Sequence, residues 1–380
     1  MNHRERVLAA LSHKEPDCLP FDFGSTPTST ITRRAYTSLR HFLGLPQAPL
    51  EFFTFAAQSV VPDEEILQHF GVDTRCVRGA SVAAVVPQRV GGYEEFSDVW
   101  GIRYRKPADS GFYYDLFHHP LQGKDEQQIE AYVFPDPRSV VDAAVLNLQC
   151  ASVRENGYAV VLGKTYGFGL LHTGAYLLGY EDLLSRMILE PRVVESLLEQ
   201  ILNCKLEFYQ HVLQCAGSNI DVVVEADDLG TQRGPIISPE LYRAMVKPLQ
   251  ARLFDGIKKA APHVKILFHS DGAIREFIAD LIEIGADAVN PVQFSAHDME
   301  PERLKREYGK DIAFWGGGID TQNLLPNGDS DTIKRAADKL ISVFSRDGGY
   351  IFATVHNIQD DVPPENVVAL FDQVGKWRRR

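Results

Sequence analysis

Three short segments carry the residue types and spacings from which an active site could be built. In Val264-Lys265-Ile266-Leu267-Phe268-His269-Ser270-Asp271-Gly272 an apolar run ends in an imidazole and a carboxylate two residues apart. Side chains at i and i+2 of a strand share a side, so His269 and Asp271 converge if extended geometry continues past Phe268. Such a pair is half of a metal site or an acid/base couple. The competing reading is a strand-to-helix turn in which Asp271 caps the next helix and His269 is a satisfied core residue. Val355-His356-Asn357-Ile358-Gln359 ends a later run with a second imidazole, and Glu225-Ala226-Asp227-Asp228 ends another with three carboxylates.

All three runs fall into one alternation of strands and helices. Apolar strands are expected near residues 19–23, 72–77, 158–163, 220–225, 264–268, 286–290, 312–315 and 350–355, with helical segments between them. Strands apolar on both faces and separated by helices make a parallel sheet, and eight such units predict a closed (β/α)8 TIM barrel, an α/β fold. No Gly-x-Gly-x-x-Gly follows the first strand, so a dinucleotide-binding sheet lacks its fingerprint. Residues 1–380 read as a single barrel domain. A β-rich excursion interrupts it at about 80–137, with short strands expected at Val82–Val90, Gly101–Arg105 and Phe112–Leu116.

A barrel gathers the C-terminal ends of its strands on one face, where barrel enzymes do their chemistry. There the sequence places His269, Asp271 and His356 as candidate metal ligands, with Glu225 as a weaker one. Imidazole nitrogens with one carboxylate suit a divalent metal, zinc foremost. Asp227 and Asp228 are candidates for acid/base work beside His269 and His356, one of the pair completing a metal shell or acting as general base while the other caps the following turn. Asp22, Tyr166, Gln232, Asn290, Gln293, Asp320 and Asn357 are the polar strand-end residues available to a substrate. Gly316-Gly317-Gly318 is either a close-approach loop with N–H groups for an anion or a tight turn. His118-His119 is expected in a surface loop.

Composition narrows the functional classes. A formal net charge of -12 argues against a nucleic-acid partner. No apolar run approaches the ~20 residues that cross a bilayer, and the N-terminus lacks a secretory core, so a cytoplasmic location is expected. The 5 cysteines form no Cys-x-x-Cys pair, which fits a reducing compartment.

Beyond these physical readings, the motifs Val222-Val223-Val224-Glu225-Ala226-Asp227-Asp228-Leu229-Gly230-Thr231-Gln232, Phe268-His269-Ser270-Asp271-Gly272, Asn290-Pro291-Val292-Gln293, Trp315-Gly316-Gly317-Gly318-Ile319-Asp320-Thr321-Gln322 and Val355-His356-Asn357-Ile358-Gln359 resemble the uroporphyrinogen decarboxylase superfamily. The resemblance spans nearly the whole chain and implies a (β/α)8 barrel. It is closer to the corrinoid-dependent methyltransferase branch than to the true decarboxylases. The decarboxylases carry an Arg-Gln-Ala-Gly-Arg segment after the first strand for a polycarboxylate substrate, whereas here Phe23-Gly24-Ser25-Thr26-Pro27-Thr28 contains no arginine. The methyltransferase relatives hold zinc with a His-x-Cys pair and a distant Cys. His269 matches the first ligand, Asp271 stands at the first Cys and His356 lies near the second.

Replacing two thiolates with a carboxylate and an imidazole leaves a metal more Lewis-acidic, better suited to oxygen than to sulfur. The resemblance therefore implies a metal-dependent methyltransferase or demethylase moving a methyl group between a small O- or N-methylated compound and a corrinoid protein. The methylcobamide would arrive on a separate partner, since no Asp-x-His-x-x-Gly segment is present; a homodimer is an open assembly state. The alternatives are a metal-independent decarboxylase or lyase using Asp227 or Asp228, and a non-catalytic small-molecule or corrinoid binding protein.

Overall fold

The computed structural model describes residues 1–79 and 85–378. Residues 82–84 of the expected strand Val82–Val90, and Arg379 and Arg380 of the basic C-terminus, lie outside the described residues. Seven parallel strands follow one another in sequence order around a curled sheet: Thr74–Val77, Ala159–Leu162, Val222–Ala226, Lys265–His269, Ala288–Asn290, Ala313–Trp315 and Tyr350–Ile351. They take positions two to eight of the barrel. Position one is the segment 20–22. Phe21 bridges Phe352 in parallel, the Asp22 N–H donates to Phe352 O at 2.8 Å, and the Asp73 N–H donates to Phe21 O at 2.8 Å. The first segment thus lies between the last strand and the second and closes the ring, giving the TIM barrel expected from the alternation.

Strand alternation divides the residues into two layers. Ala159, Val161, Val222, Val224, Leu267, Ala288, Ala313, Trp315, Ile351 and Ala353 fill the barrel interior. Their neighbours Val160, Leu162, Val223, Ile266, Phe268, Val289 and Phe314 join the outer core beneath the helices. The outer helices are amphipathic; Pro191–Ala216 buries Leu197, Leu198, Ile201, Leu202, Phe208, Tyr209 and Val212 along one stripe.

The end of the barrel opposite the strand C-termini is sealed. The N-terminal helix His3–Leu11 starts in an Asn2/Glu5 capping box and inserts Val7, Ala10 and Leu11 into the interior cluster. Arg4 pairs with Asp221 at 2.9 Å. Asp73 receives His3 and Arg6 at 2.7 Å each, together with Arg378 from the C-terminus. Asp73, Asp221 and Asp287 precede positions two, four and six. Each carboxylate accepts a backbone N–H from the preceding odd strand segment: Phe21 at 2.8 Å, Val160 at 3.0 Å and Ile266 at 2.8 Å.

Three parts depart from expectation. The excursion contains a four-stranded antiparallel sheet, Gln88–Val90, Tyr93–Ser97, Arg103–Pro107 and Asp115–His118. His118 therefore ends a strand, and the His119 ring binds Tyr176 O at 2.8 Å. A hairpin, Glu51–Thr54 and Ser59–Val61, pairs with Ile31–Thr32. A helix at Leu171–Leu178 precedes Tyr180–Leu189. Among the described residues, no helix is long and apolar enough to cross a membrane.

Candidate functional site

The mouth of the barrel is organised around His269, the last residue of the fifth strand and 1 % exposed. Its tautomer follows from its neighbours. Asn290 donates Nδ2–H to Trp315 O at 2.9 Å, and a carbonyl can only accept, so Asn290 Oδ1 is the atom 2.7 Å from His269 Nδ1. Nδ1 must then carry the proton, shared with Thr28 Oγ1 at 3.1 Å, while the Thr28 hydroxyl itself donates to Asn290 Oδ1 at 3.3 Å. This leaves the Nε2 lone pair free and aimed at two carboxylates: Asp271 Oδ1 at 3.9 Å and Asp228 Oδ1 at 3.8 Å. Ring orientation fixed by an outer hydrogen bond is what a metal-ligating histidine needs.

Leu267 points into the barrel, so alternation carries His269 and Asp271 to the same side, as the spacing predicts. The other Asp271 oxygen lies 3.8 Å from His356 Nε2. One ligand atom each from His269, Asp271 and His356 lies within 4.8 Å of the other two. The capping alternative is not realised: the helix Arg275–Ile284 has Ile274 at its N-cap and no side-chain cap bond. The Asp271 N–H is held by Asp228 Oδ1 at 3.0 Å and the Gly272 N–H by Gln293 Oε1 at 2.9 Å, which fixes the turn presenting Asp271. His356 adopts φ +63°, a left-handed conformation uncommon for a non-glycine residue. A donor so constrained is held toward the cluster at a cost of order 1 kcal/mol.

The aspartate pair divides its work. Asp227 is buried beneath the helix Leu171–Leu178. It accepts from the Leu170 N–H at 3.0 Å, the His172 N–H at 2.8 Å and Gln250 Nε2 at 2.9 Å. Burial raises its pKa against the lowering effect of these donors. With its acceptor sites taken, Asp227 holds the helix start rather than a substrate, which corrects its placement among the acid/base candidates. Asp228 is the one that faces the cluster.

Other sequence candidates are drawn elsewhere. Glu225 points outward, because alternation places Val224 and Ala226 on the opposite side. It pairs with Lys205 of the long helix at 3.1 Å, and burial raises its pKa. It is no ligand of this cluster. Asp22 is buried in the barrel and takes Thr74 Oγ1 at 2.6 Å, Trp315 Nε1 at 2.7 Å and Ser29 Oγ at 2.8 Å, so it is structural. Tyr166 turns away from the mouth: its hydroxyl donates to Pro135 O at 2.5 Å and its ring packs on Trp100 of the excursion. Gln232 is exposed beside the turn held by Thr231 and Gly234. Asp320 caps its own turn through the Gln322 N–H at 2.8 Å. Asn357 holds the first loop through the Thr30 N–H and Pro27 O, both at 2.9 Å. The Gly316, Gly317 and Gly318 N–H groups are spent on Ile351, Pro291 and Ala353 carbonyls. A Cβ at Gly316 would stand 2.2 Å from Pro291 O, so the glycines serve close packing rather than an anion.

Two contributors were not foreseen. The loop after the first strand segment, which lacks arginine, folds across the mouth and supplies Thr28 to His269. The helix Leu171–Leu178 supplies His172, 7 % exposed, with Nδ1 3.7 Å from Asp228 Oδ2. The signal was the four-residue spacing of Phe168, His172, Tyr176 and Tyr180, whose rings all pack around His172 at centroid distances of 4.5–5.6 Å.

The uroporphyrinogen decarboxylase (URO-D) family model matches residues 168–377, more than half of the chain. Uroporphyrinogen decarboxylases from Vesicomyosocius okutanii and Legionella pneumophila are 30% and 29% identical over 147 and 142 residues. Those matches cover 38% and 37% of this chain and 40% and 38% of the relatives. The chain is similar along its whole length to a solved methyltransferase from Methanosarcina mazei, with a TM-score of 0.67, 99% coverage of both chains and 16% identity. At that identity the likeness shows a shared fold.

Proposed function

The chain belongs to the uroporphyrinogen decarboxylase family, and from that premise we propose that it is a metal-dependent methyltransferase or demethylase. It moves a methyl group between a small O- or N-methylated compound and a corrinoid carried by a separate protein. The observation that carries this reading is the convergence of His269, Asp271 and His356 at the barrel mouth. The donor set fits a divalent cation, zinc foremost: the His269 tautomer leaves Nε2 free, the Asp271 carboxylate faces both rings, and the Asn290–Trp315 anchor holds the first imidazole in place. A metal bound there supplies Lewis acidity, drawing charge from the heteroatom that exchanges the methyl group. The remaining work belongs to the chain itself. Gln293 fixes the turn that presents Asp271, Thr28 bonds the His269 ring, and Asp228 lines the mouth just past the end of the fourth strand.

A polycarboxylate substrate is disfavoured, because the first loop offers hydroxyls where counter-charges would be required. Asp228 supports a second reading, metal-independent decarboxylation or lysis with this residue as the acid/base group; it faces His269 and His172 rather than a lysine or arginine. Two measurements separate the readings. Metal content should be near one equivalent in the purified protein and lost in His269→Ala. Methyl transfer to cob(I)alamin should appear with some member of a panel of methoxylated and N-methylated compounds and vanish with chelator. A metal-free protein that turns over refutes the metal assignment.

A further inference from the structure

His172 is a buried imidazole that the metal assignment leaves without a task. Its Nδ1 lies 3.7 Å from Asp228 Oδ2 and 2.9 Å from the Tyr180 hydroxyl. Asp228 in turn lies 3.8 Å from His269. The result is an alternating line, His172, Asp228, His269, Asp271, His356, with every step between 3.7 and 3.9 Å. Two imidazoles, His269 and His356, flank the carboxylate of the metal cluster. The third stands outside the cluster, separated from it by one carboxylate. Its backbone N–H is anchored on Asp227, and Phe168, Tyr176 and Tyr180 enclose its ring. A purely structural histidine in so apolar a place would bury both nitrogens against fixed partners. Here a single phenol hydroxyl is shared between the two nitrogens, 2.9 Å from Nδ1 and 3.2 Å from Nε2, and the Asp228 carboxylate stands beyond ordinary hydrogen-bond reach.

Building on the methyl-transfer reading, we propose that His172 carries the proton of the substrate heteroatom, with Asp228 and Tyr180 positioning its ring. In the methylating direction the acceptor's O–H bond breaks and the proton passes to His172. The freed electron pair forms the new O–CH3 bond, and the pair of the old methyl bond stays with the methyl donor. Demethylation runs the same steps backward: His172 takes a proton from solvent and gives it to the leaving oxygen as the O–CH3 bond breaks. Burial keeps the imidazole neutral at rest, opposed by the nearby carboxylates of Asp228, Asp227 and Asp271, so a base is available before substrate arrives.

The chemistry provides its own control. A methyl ether leaves as an alkoxide or phenoxide and needs a proton, whereas a quaternary methylammonium leaves as a neutral amine and needs none. In His172→Asn, kcat with methyl phenyl ether should fall about 100-fold while kcat with tetramethylammonium stays within about threefold, and metal content should be unchanged. Equal losses on both substrates, or loss of metal, overturn the proposal in favour of a structural role. A second measurement does not depend on turnover or on a folded variant. In wild-type protein with isotope-labelled histidine, binding of phenol should shift a His172 ring-nitrogen resonance as that nitrogen accepts a hydrogen bond from the phenol O–H. Bound phenol that leaves the His172 ring-nitrogen resonances unmoved overturns the proposal. Where wild-type protein takes other donors, the comparison uses a methyl ether and a quaternary methylammonium that it accepts; inertness toward the whole panel counts against the methyl-transfer reading, and the phenol titration still decides the role of His172.

Discussion

Asn290 offers the sharpest test of the cluster, because it orients His269 without reaching the metal position itself. In Asn290→Ala two buried groups lose a partner: Trp315 O loses the 2.9 Å bond from Nδ2, and His269 Nδ1–H loses the 2.7 Å acceptor. Each unsatisfied buried group costs about 1–3 kcal/mol, but Thr28 Oγ1, 3.1 Å from Nδ1, can still accept from the ring. A total near 3 kcal/mol is expected, which for 380 residues shifts Tm by roughly 4 °C. The same logic sets the effect on metal affinity. Losing an outer partner of a ligating histidine costs about 10–100-fold. With Thr28 left as a substitute acceptor, the single variant should fall near tenfold, about 1.4 kcal/mol. Adding Thr28→Val should push the loss toward 100-fold. Competition for zinc against a calibrated chelator reads these numbers directly, alongside a thermal melt. A double variant whose Tm falls as expected but whose zinc affinity is unchanged would show that His269 is not a ligand.

Other expectations can be checked with similar means. Asp227→Asn should lower stability by about 2 kcal/mol in urea titrations, since it sets an amide against three N–H donors, while metal binding changes little. Asp228→Asn should do the reverse, leaving stability within about 0.5 kcal/mol and lowering turnover at least tenfold. His356→Ala keeps a Cβ at φ +63° and should destabilise by about 1 kcal/mol relative to His356→Gly, whereas both lose metal. Burial would raise the pKa of Asp73, but the hydrogen bonds from His3 and Arg378 and the charges of Arg378 and Arg6 outweigh it and hold the carboxyl below its ordinary value. Its contribution to stability is therefore complete above about pH 4 and lost as the pH falls. Asp73→Asn should be clearly less stable than wild type at pH 7, with the gap narrowing by pH 3 in denaturant titrations.

Much of this was readable from the chain. Val222–Ala226 and Lys265–His269 announce themselves because a parallel strand buried on both faces must be apolar throughout, and a period of two then brings His269 and Asp271 together. The hairpin Glu51–Thr54/Ser59–Val61 and the helix Leu171–Leu178 were missed for a different reason. Each is short, and its pattern makes sense only against partners distant in sequence. The same limit applies to Asp227 and Asp228. Adjacent carboxylates are indistinguishable in sequence, and what separates them is a helix start 55 residues away whose N–H groups claim one and not the other. Glu225 was the avoidable error, since the alternation used for His269 also sends it outward. The roles of Asp22, Tyr166 and Asn357 could not be anticipated, because each polar strand-end residue could serve a substrate or brace a loop, and only packing decides between the two.

The aspartates at positions 73, 221 and 287 have a consequence for how such a molecule can change over time. They fasten odd strands to even ones at the end sealed by the N-terminal helix, and none of them shares a hydrogen bond or ion pair with the mouth. Loops there, from the threonine-rich first turn to the antiparallel excursion, can be exchanged, lengthened or rewritten while those fastenings stay intact. Asp271 and His356 then belong to the part of the molecule that the scaffold leaves free to vary, and the chemistry of the mouth can be retuned by edits confined to one rim.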